Sequence, residues 1–104
     1  MAMELEACFD KAMMGIYDRA RDEVGYKATR YLQMLYDNRG LDTARTLVLA
    51  DNPSEGYTAL WERKRLDLTV EALVLQPEWQ PLFAEEPVLL ECARRRLTDY
   101  GYKF

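Results

Sequence analysis

Apolar positions recur every three to four residues along nearly the whole chain, which is the spacing of one face of an α-helix. Over residues 3–24, Leu5, Phe9, Ala12, Met13, Ile16, Tyr17, Ala20 and Val24 hold that spacing, and most polar residues fall between them. Gly25 stops this first helix, because glycine accepts the left-handed conformation that follows a helix end. A second helix is predicted over 27–38, with Tyr31, Leu32, Leu35 and Tyr36 facing inward and Asn38-Arg39-Gly40 ending it. Asp42 is placed to cap a third over 43–50, and Asp51-Asn52-Pro53-Ser54 reads as a loop. Ser54 caps a fourth helix over 55–64, which presents Tyr57, Leu60 and Trp61. A fifth starts at Asp67 or Thr69 and reaches Leu75, where Pro77 halts it. A short turn over 78–84 follows, then a last helix over 87–100, opened by Pro87 and stopped by Gly101. No segment alternates long enough to make a strand. The expected fold is all-α, one compact bundle of five to six helices spanning 1–104.

The stretch RLDLTVEALVLQPEW breaks the amphipathic pattern. On a helical wheel Leu66, Val70, Leu73 and Val74 form one face, and Leu68, Ala72, Leu75 and Trp79 form another. Asp67, Thr69 and Glu71 alone are left to meet water. A helix apolar on most sides sits at the centre of a small bundle, and the alternative is a half-exposed strip that binds a partner or a second copy.

The strings GYKATRYLQML, ARTLVLADNPSEGYTALWERKRLDLTVEALVLQPEWQPLF and ARRRLTDYGY resemble a group of small bacterial proteins. Their shared marks are a Gly-Tyr opening, an ALWERxRLDLTVEALVL centre and a closing ARxRLxxYGY. The resemblance covers about residues 25–102 and implies no particular activity, cofactor or site. Gly-Tyr recurs at 25, 56 and 101, but the intervening patterns differ, so these are helix punctuation rather than a repeat.

Composition narrows the chemistry. With 18 acidic and 14 basic residues the net charge is −4, which opposes a dedicated duplex-DNA binder. No apolar run approaches the roughly 18 residues of a membrane span, and the acidic start does not read as a signal peptide, so the expected location is the cytoplasm. Histidine is absent, which removes the usual zinc sets and the Ser-His-Asp and Cys-His catalytic arrangements. Cys8 and Cys92 sit among apolar helical neighbours and are expected as buried free thiols. No catalytic, metal or cofactor residues are assigned, and the chain is not expected to be an enzyme.

Binding surfaces remain. Glu85 and Glu86 with Glu91 read as charges at the start of the last helix, where they complement its dipole. Asp18, Asp22 and Glu23 lie on the polar side of the first helix, and Asp22 and Glu23, in its last turn, oppose its dipole. A basic partner would explain them, and so would solubility. The basic runs Arg63-Lys64-Arg65 and Arg94-Arg95-Arg96 are expected as solvated ends pairing with Glu62, Glu91 and Asp99. Three consecutive helical positions fan over roughly 200°, so Arg94, Arg95 and Arg96 cannot share one flat surface. Pooled with Tyr100, Tyr102 and Lys103, the two runs together would instead form a nucleic-acid or phosphate patch. The seven tyrosines suit half-buried rims or an interface. The expected function is a non-catalytic protein–protein interaction protein of a bacterium or its mobile elements. Partner-contact candidates are Asp18, Asp22, Glu23, Tyr57, Trp61, Arg94, Arg95, Tyr100 and Tyr102, and homodimerisation is compatible with them. One alternative is a phage or mobile-element inhibitor that fills the basic nucleic-acid channel of a host defence complex, as an anti-CRISPR would. A second is an RNA- or DNA-binding module using the arginine runs.

Overall fold

The structure, a computed structural model, describes residues 2–104. It is all-α: α1 (Ala2–Val24), α2 (Thr29–Leu49), α3 (Glu55–Glu62), α4 (Val70–Val74), α5 (Gln80–Phe83) and α6 (Pro87–Asp99), with 3-10 turns at Leu66–Leu68 and Pro77–Trp79. None of the described helices is long and apolar enough to cross a membrane.

The local signals act as their chemistry dictates. Ser54 caps α3, its Oγ accepting the Tyr57 N–H at 3.1 Å. Thr69 caps α4 by accepting the Ala72 N–H at 3.2 Å, while its own hydroxyl donates to the Leu66 carbonyl at 2.7 Å. Thr69 therefore divides the apolar stretch into a 3-10 turn and a five-residue helix rather than one continuous helix.

That stretch is the centre of the molecule. α4 packs against α1, α2 and α6. Val70, Leu73 and Val74 meet Phe9, Met13 and Ile16 from α1, Leu35, Ala44 and Val48 from α2, and Leu89 and Ala93 from α6. Phe9 lies edge-on to both Trp79 and Phe83, at 5.3 and 5.6 Å between ring centroids. Each such side chain contributes about 1.5–3 kcal/mol on burial.

Two residues expected to meet water are inside. Thr69 is buried because both hydrogen-bonding roles of its hydroxyl are met locally. Glu71 is 3% exposed because Arg96 reaches it from α6, with Nη1 donating to Oε2 at 2.8 Å. Arg96 is thus no solvated helix end: it also donates to the Leu47 and Ala50 carbonyls at the end of α2. Desolvation raises the Glu71 carboxyl above its usual range, against the lowering effect of the Arg96 hydrogen bond.

α2 merges the second and third expected helices across a sharp break. Arg39 there has φ 66° and ψ −179°, a region held almost entirely by glycine. Asp42 does not cap the second half; its carboxylate binds Arg45 instead. The capping group comes from α1: Asp10 Oδ1 accepts the Gly40 N–H at 2.7 Å, and Oδ2 accepts from the Arg39 guanidinium. Gly40 is required, since a Cβ would stand 2.8 Å from Asp10 Oδ1 and 3.1 Å from the Phe9 ring. Thr43 donates to the Met34 carbonyl across the break.

Two smaller expectations change as well. Cys8 is exposed and Cys92 half-buried, because position 8 lies off the packed face of α1; both are free thiols. Glu86 makes no side-chain cap on α6, because its carboxylate is drawn to Arg45 at 2.9 and 3.1 Å.

Candidate functional site

The ends of α3 and α6 are joined by aromatic contacts through Tyr100, and both helices end in the same motif. In α3 the Arg65 N–H reaches the Leu60 carbonyl and the Lys64 N–H the Trp61 carbonyl, with Lys64 left-handed at φ 60°. In α6 the Tyr102 N–H reaches Leu97 and the Gly101 N–H reaches Thr98, with Gly101 at φ 84°. This is the Schellman closure, for which glycine is the usual left-handed residue. Lysine at 64 hides the motif in the sequence.

Between these ends runs an open groove of about 290 Å³, walled by Trp61, Leu66, Tyr100 and Tyr102. Tyr57 supports it from beneath: it is buried, its hydroxyl donates to the Arg96 carbonyl at 3.1 Å, and its ring meets Tyr100 edge-on at 5.2 Å. Burial also pushes the Tyr57 phenol upward. Tyr100 in turn meets Trp61 at 5.3 Å, again edge-on. Trp61 is 44% exposed, a large apolar surface for a ring held in a fixed array. Beyond the groove Tyr102 meets Phe104 at 5.2 Å, and the Arg94 guanidinium lies over the Phe104 ring at 5.2 Å.

Charge in the groove comes from Lys64, Lys103 and Asp67. Asp67 is spoken for, since its two oxygens accept Arg65 Nε and Nη2 at 3.0 and 3.1 Å. Neither lysine forms a salt bridge among the described residues.

The sequence candidates therefore divide into two groups. Trp61, Tyr100 and Tyr102 line one groove, Tyr57 is beneath it, and Arg94 is beside it on Phe104. Arg95 is exposed and lines a second cleft of about 270 Å³ between the end of α2 and α6, to which Tyr100 also contributes. The acidic set lies on the last turns of α1 and is matched by arginines. Arg21 stands 3.5 Å from Asp18 and 2.9 Å from Asp22. Glu23 accepts from Arg19 and from Arg65, each at 2.7 Å, and these bonds lower its carboxyl to about 2. Lys64 and Leu66, which complete the aromatic groove, carry no sequence signal of a contact role, because that role depends on the α3 closure.

A buried carboxylate with a raised pKa marks many active sites. Glu71 is sealed inside against Arg96, so its setting is that of a structural ion pair. Among the described residues no three of His, Cys, Asp and Glu gather as metal ligands. Comparison with protein-family models, curated proteins and solved structures finds no match to the chain.

Proposed function

We propose that this chain is a non-catalytic protein-interaction domain whose contact surface is the aromatic groove between α3 and α6. The observation that carries the reading is Trp61. It is nearly half exposed, yet braced by Tyr100, which is braced by buried Tyr57. Rigid, exposed tryptophan and tyrosine supply contact area at little rotamer cost, as the central residues of protein interfaces do.

The two alternatives have less support. The acidic-inhibitor reading needs unspent carboxylates, whereas Asp18, Asp22 and Glu23 each face an arginine. The nucleic-acid reading needs the arginine runs, whereas Arg65 binds Asp67 and Glu23 and Arg96 is held by Glu71. The resemblance to bacterial proteins makes a bacterial cytoplasm the natural source of a partner. The test is a nuclease-treated bacterial lysate passed over the immobilised wild type and Trp61→Ala. A protein retained by the first and lost by the second supports the reading. Equal retention on both, or retention that vanishes with nuclease, overturns it.

A further inference from the structure

We propose that the groove receives an acidic anchor segment of a partner protein: one aromatic or large apolar side chain with a carboxylate beside it. This rests on the reading of the groove as the contact surface and adds the chemistry of what enters it. The walls are apolar rings from Trp61, Tyr100 and Tyr102, with Leu66 below, so a flat or bulky apolar side chain replaces water there. The volume, about 290 Å³, is at the bottom of the range of about 300–1,000 Å³ for small-molecule sites. One side chain fits that space better than an extended cofactor.

The electrostatics select the anchor's neighbours. Asp67 is neutralised by Arg65, which leaves Lys64 and Lys103 as the charges on offer. The ends of α3 and α6 oppose them, each contributing roughly half a negative charge. Lys64 and Lys103 are whole charges against two partial ones, so the unpaired charge lining the groove itself is positive. The two Schellman closures also engage several of the last carbonyls, which leaves fewer acceptors for a cationic ligand. A carboxylate beside the apolar anchor is therefore attracted, and a lysine or arginine there is repelled.

A single strand of nucleic acid would also present rings and anions, but it needs a positive track along several phosphates. Here Arg65 and Arg96 are engaged within the fold, Arg94 lies on Phe104, and the chain's net charge is −4. The observations favour a protein segment.

The experiment is selection of a random peptide library on the full chain, followed by anisotropy titration of the enriched peptides and of labelled oligothymidylate. Peptides carrying Phe, Tyr, Trp or Leu beside Asp or Glu are expected. Their affinity should fall by about tenfold or more in Trp61→Ala, the loss of one central anchor. It should also fall in Lys64→Gly/Lys103→Gln, and further in Lys64→Glu/Lys103→Glu, with circular dichroism confirming the fold. Lys64→Gly suits the positive φ, so its loss of binding is not a folding defect. Enrichment of basic or neutral peptides, no enrichment, or indifference to the lysine changes overturns the acidic anchor. Dependence on Trp61 without dependence on the lysines removes this inference and leaves the contact surface standing. Independence from Trp61 removes both, and preferential binding of oligothymidylate replaces them with a nucleic-acid site.

Discussion

Arg96→Met is expected to be the most damaging single change on α6. Arg96 and Glu71 have side chains 10% and 3% exposed, with 2.8 Å between charged atoms. Removing the guanidinium leaves Glu71 buried with no partner of opposite charge and takes a donor from the Leu47 and Ala50 carbonyls. Breaking a buried pair from one side costs about 3–5 kcal/mol. At roughly 4–8 °C per kcal/mol for a chain near this length, the melting temperature should fall by more than about 10 °C. Thermal unfolding followed by circular dichroism reads this directly. The deficit should also depend on pH. Without Arg96 the folded-state pKa of Glu71 rises further above its unfolded value, near 4.3. The fold then binds a proton that the unfolded chain releases, so stability is highest below the unfolded value and falls as pH rises through the folded one. The variant should therefore lie closer to wild type at pH 4.5 than at pH 7. The double variant Glu71→Met/Arg96→Met removes both charges and should recover much of the loss, though not all, because the two carbonyls remain without their donor. A shift of less than about 1 kcal/mol for Arg96→Met, or an equal deficit at both pH values, would refute the claim that this pair is buried and coupled.

Leu73→Ala, at 4% exposure in the centre of the core, should cost about 2–5 kcal/mol in chemical denaturation; an unchanged midpoint would place α4 at the surface. Arg39→Gly should raise stability by about 1–2 kcal/mol, since relief of an unfavourable backbone region outweighs a mostly exposed ion pair; a lower melting temperature would contradict this. Gly40→Ala should lower it by about 1–3 kcal/mol through the crowding against Asp10 and Phe9, and a neutral result would show that α1 yields easily. Glu23, with its folded pKa depressed to about 2, contributes stability above its unfolded value that is lost as pH falls toward 2. Glu23→Gln should therefore flatten the melting-temperature profile in that acid window, and an unchanged slope would separate Glu23 from Arg19 and Arg65.

The parts of the fold that were legible in the sequence are those decided by neighbours along the chain. Ser54, Thr69, Pro87, Gly25 and Gly101 act within a turn of where they stand, and the helix ends they set lie close to the predicted ones. What was not legible depends on distant partners. Glu71 reads as a solvent-facing residue on a wheel, and only Arg96, 25 positions away, makes its burial tolerable. Asp42 is a good local cap, yet Asp10, 30 positions from Gly40, takes the role. The aromatic candidates were named from composition, but their assembly around one groove depends on Lys64 adopting a glycine-like conformation that its residue type does not announce.

The break at Arg39 ties the history of the chain to its architecture. A helix start normally carries its own cap within a turn of the chain. The second half of α2 borrows its first acceptor from α1, and the Arg39 backbone is unfavourable until Asp10 arrives. Residues 40–49 should therefore be fluctuating and only partly helical in the unfolded ensemble, and should become ordered when α1 docks. The Leu47 and Ala50 carbonyls that receive Arg96 are at the far end of that segment, so its ordering by α1 also sets two of the acceptors that meet α6. The first and last helices, distant in sequence, are thereby expected to be coupled, and hydrogen exchange should find their slowest amides opening together.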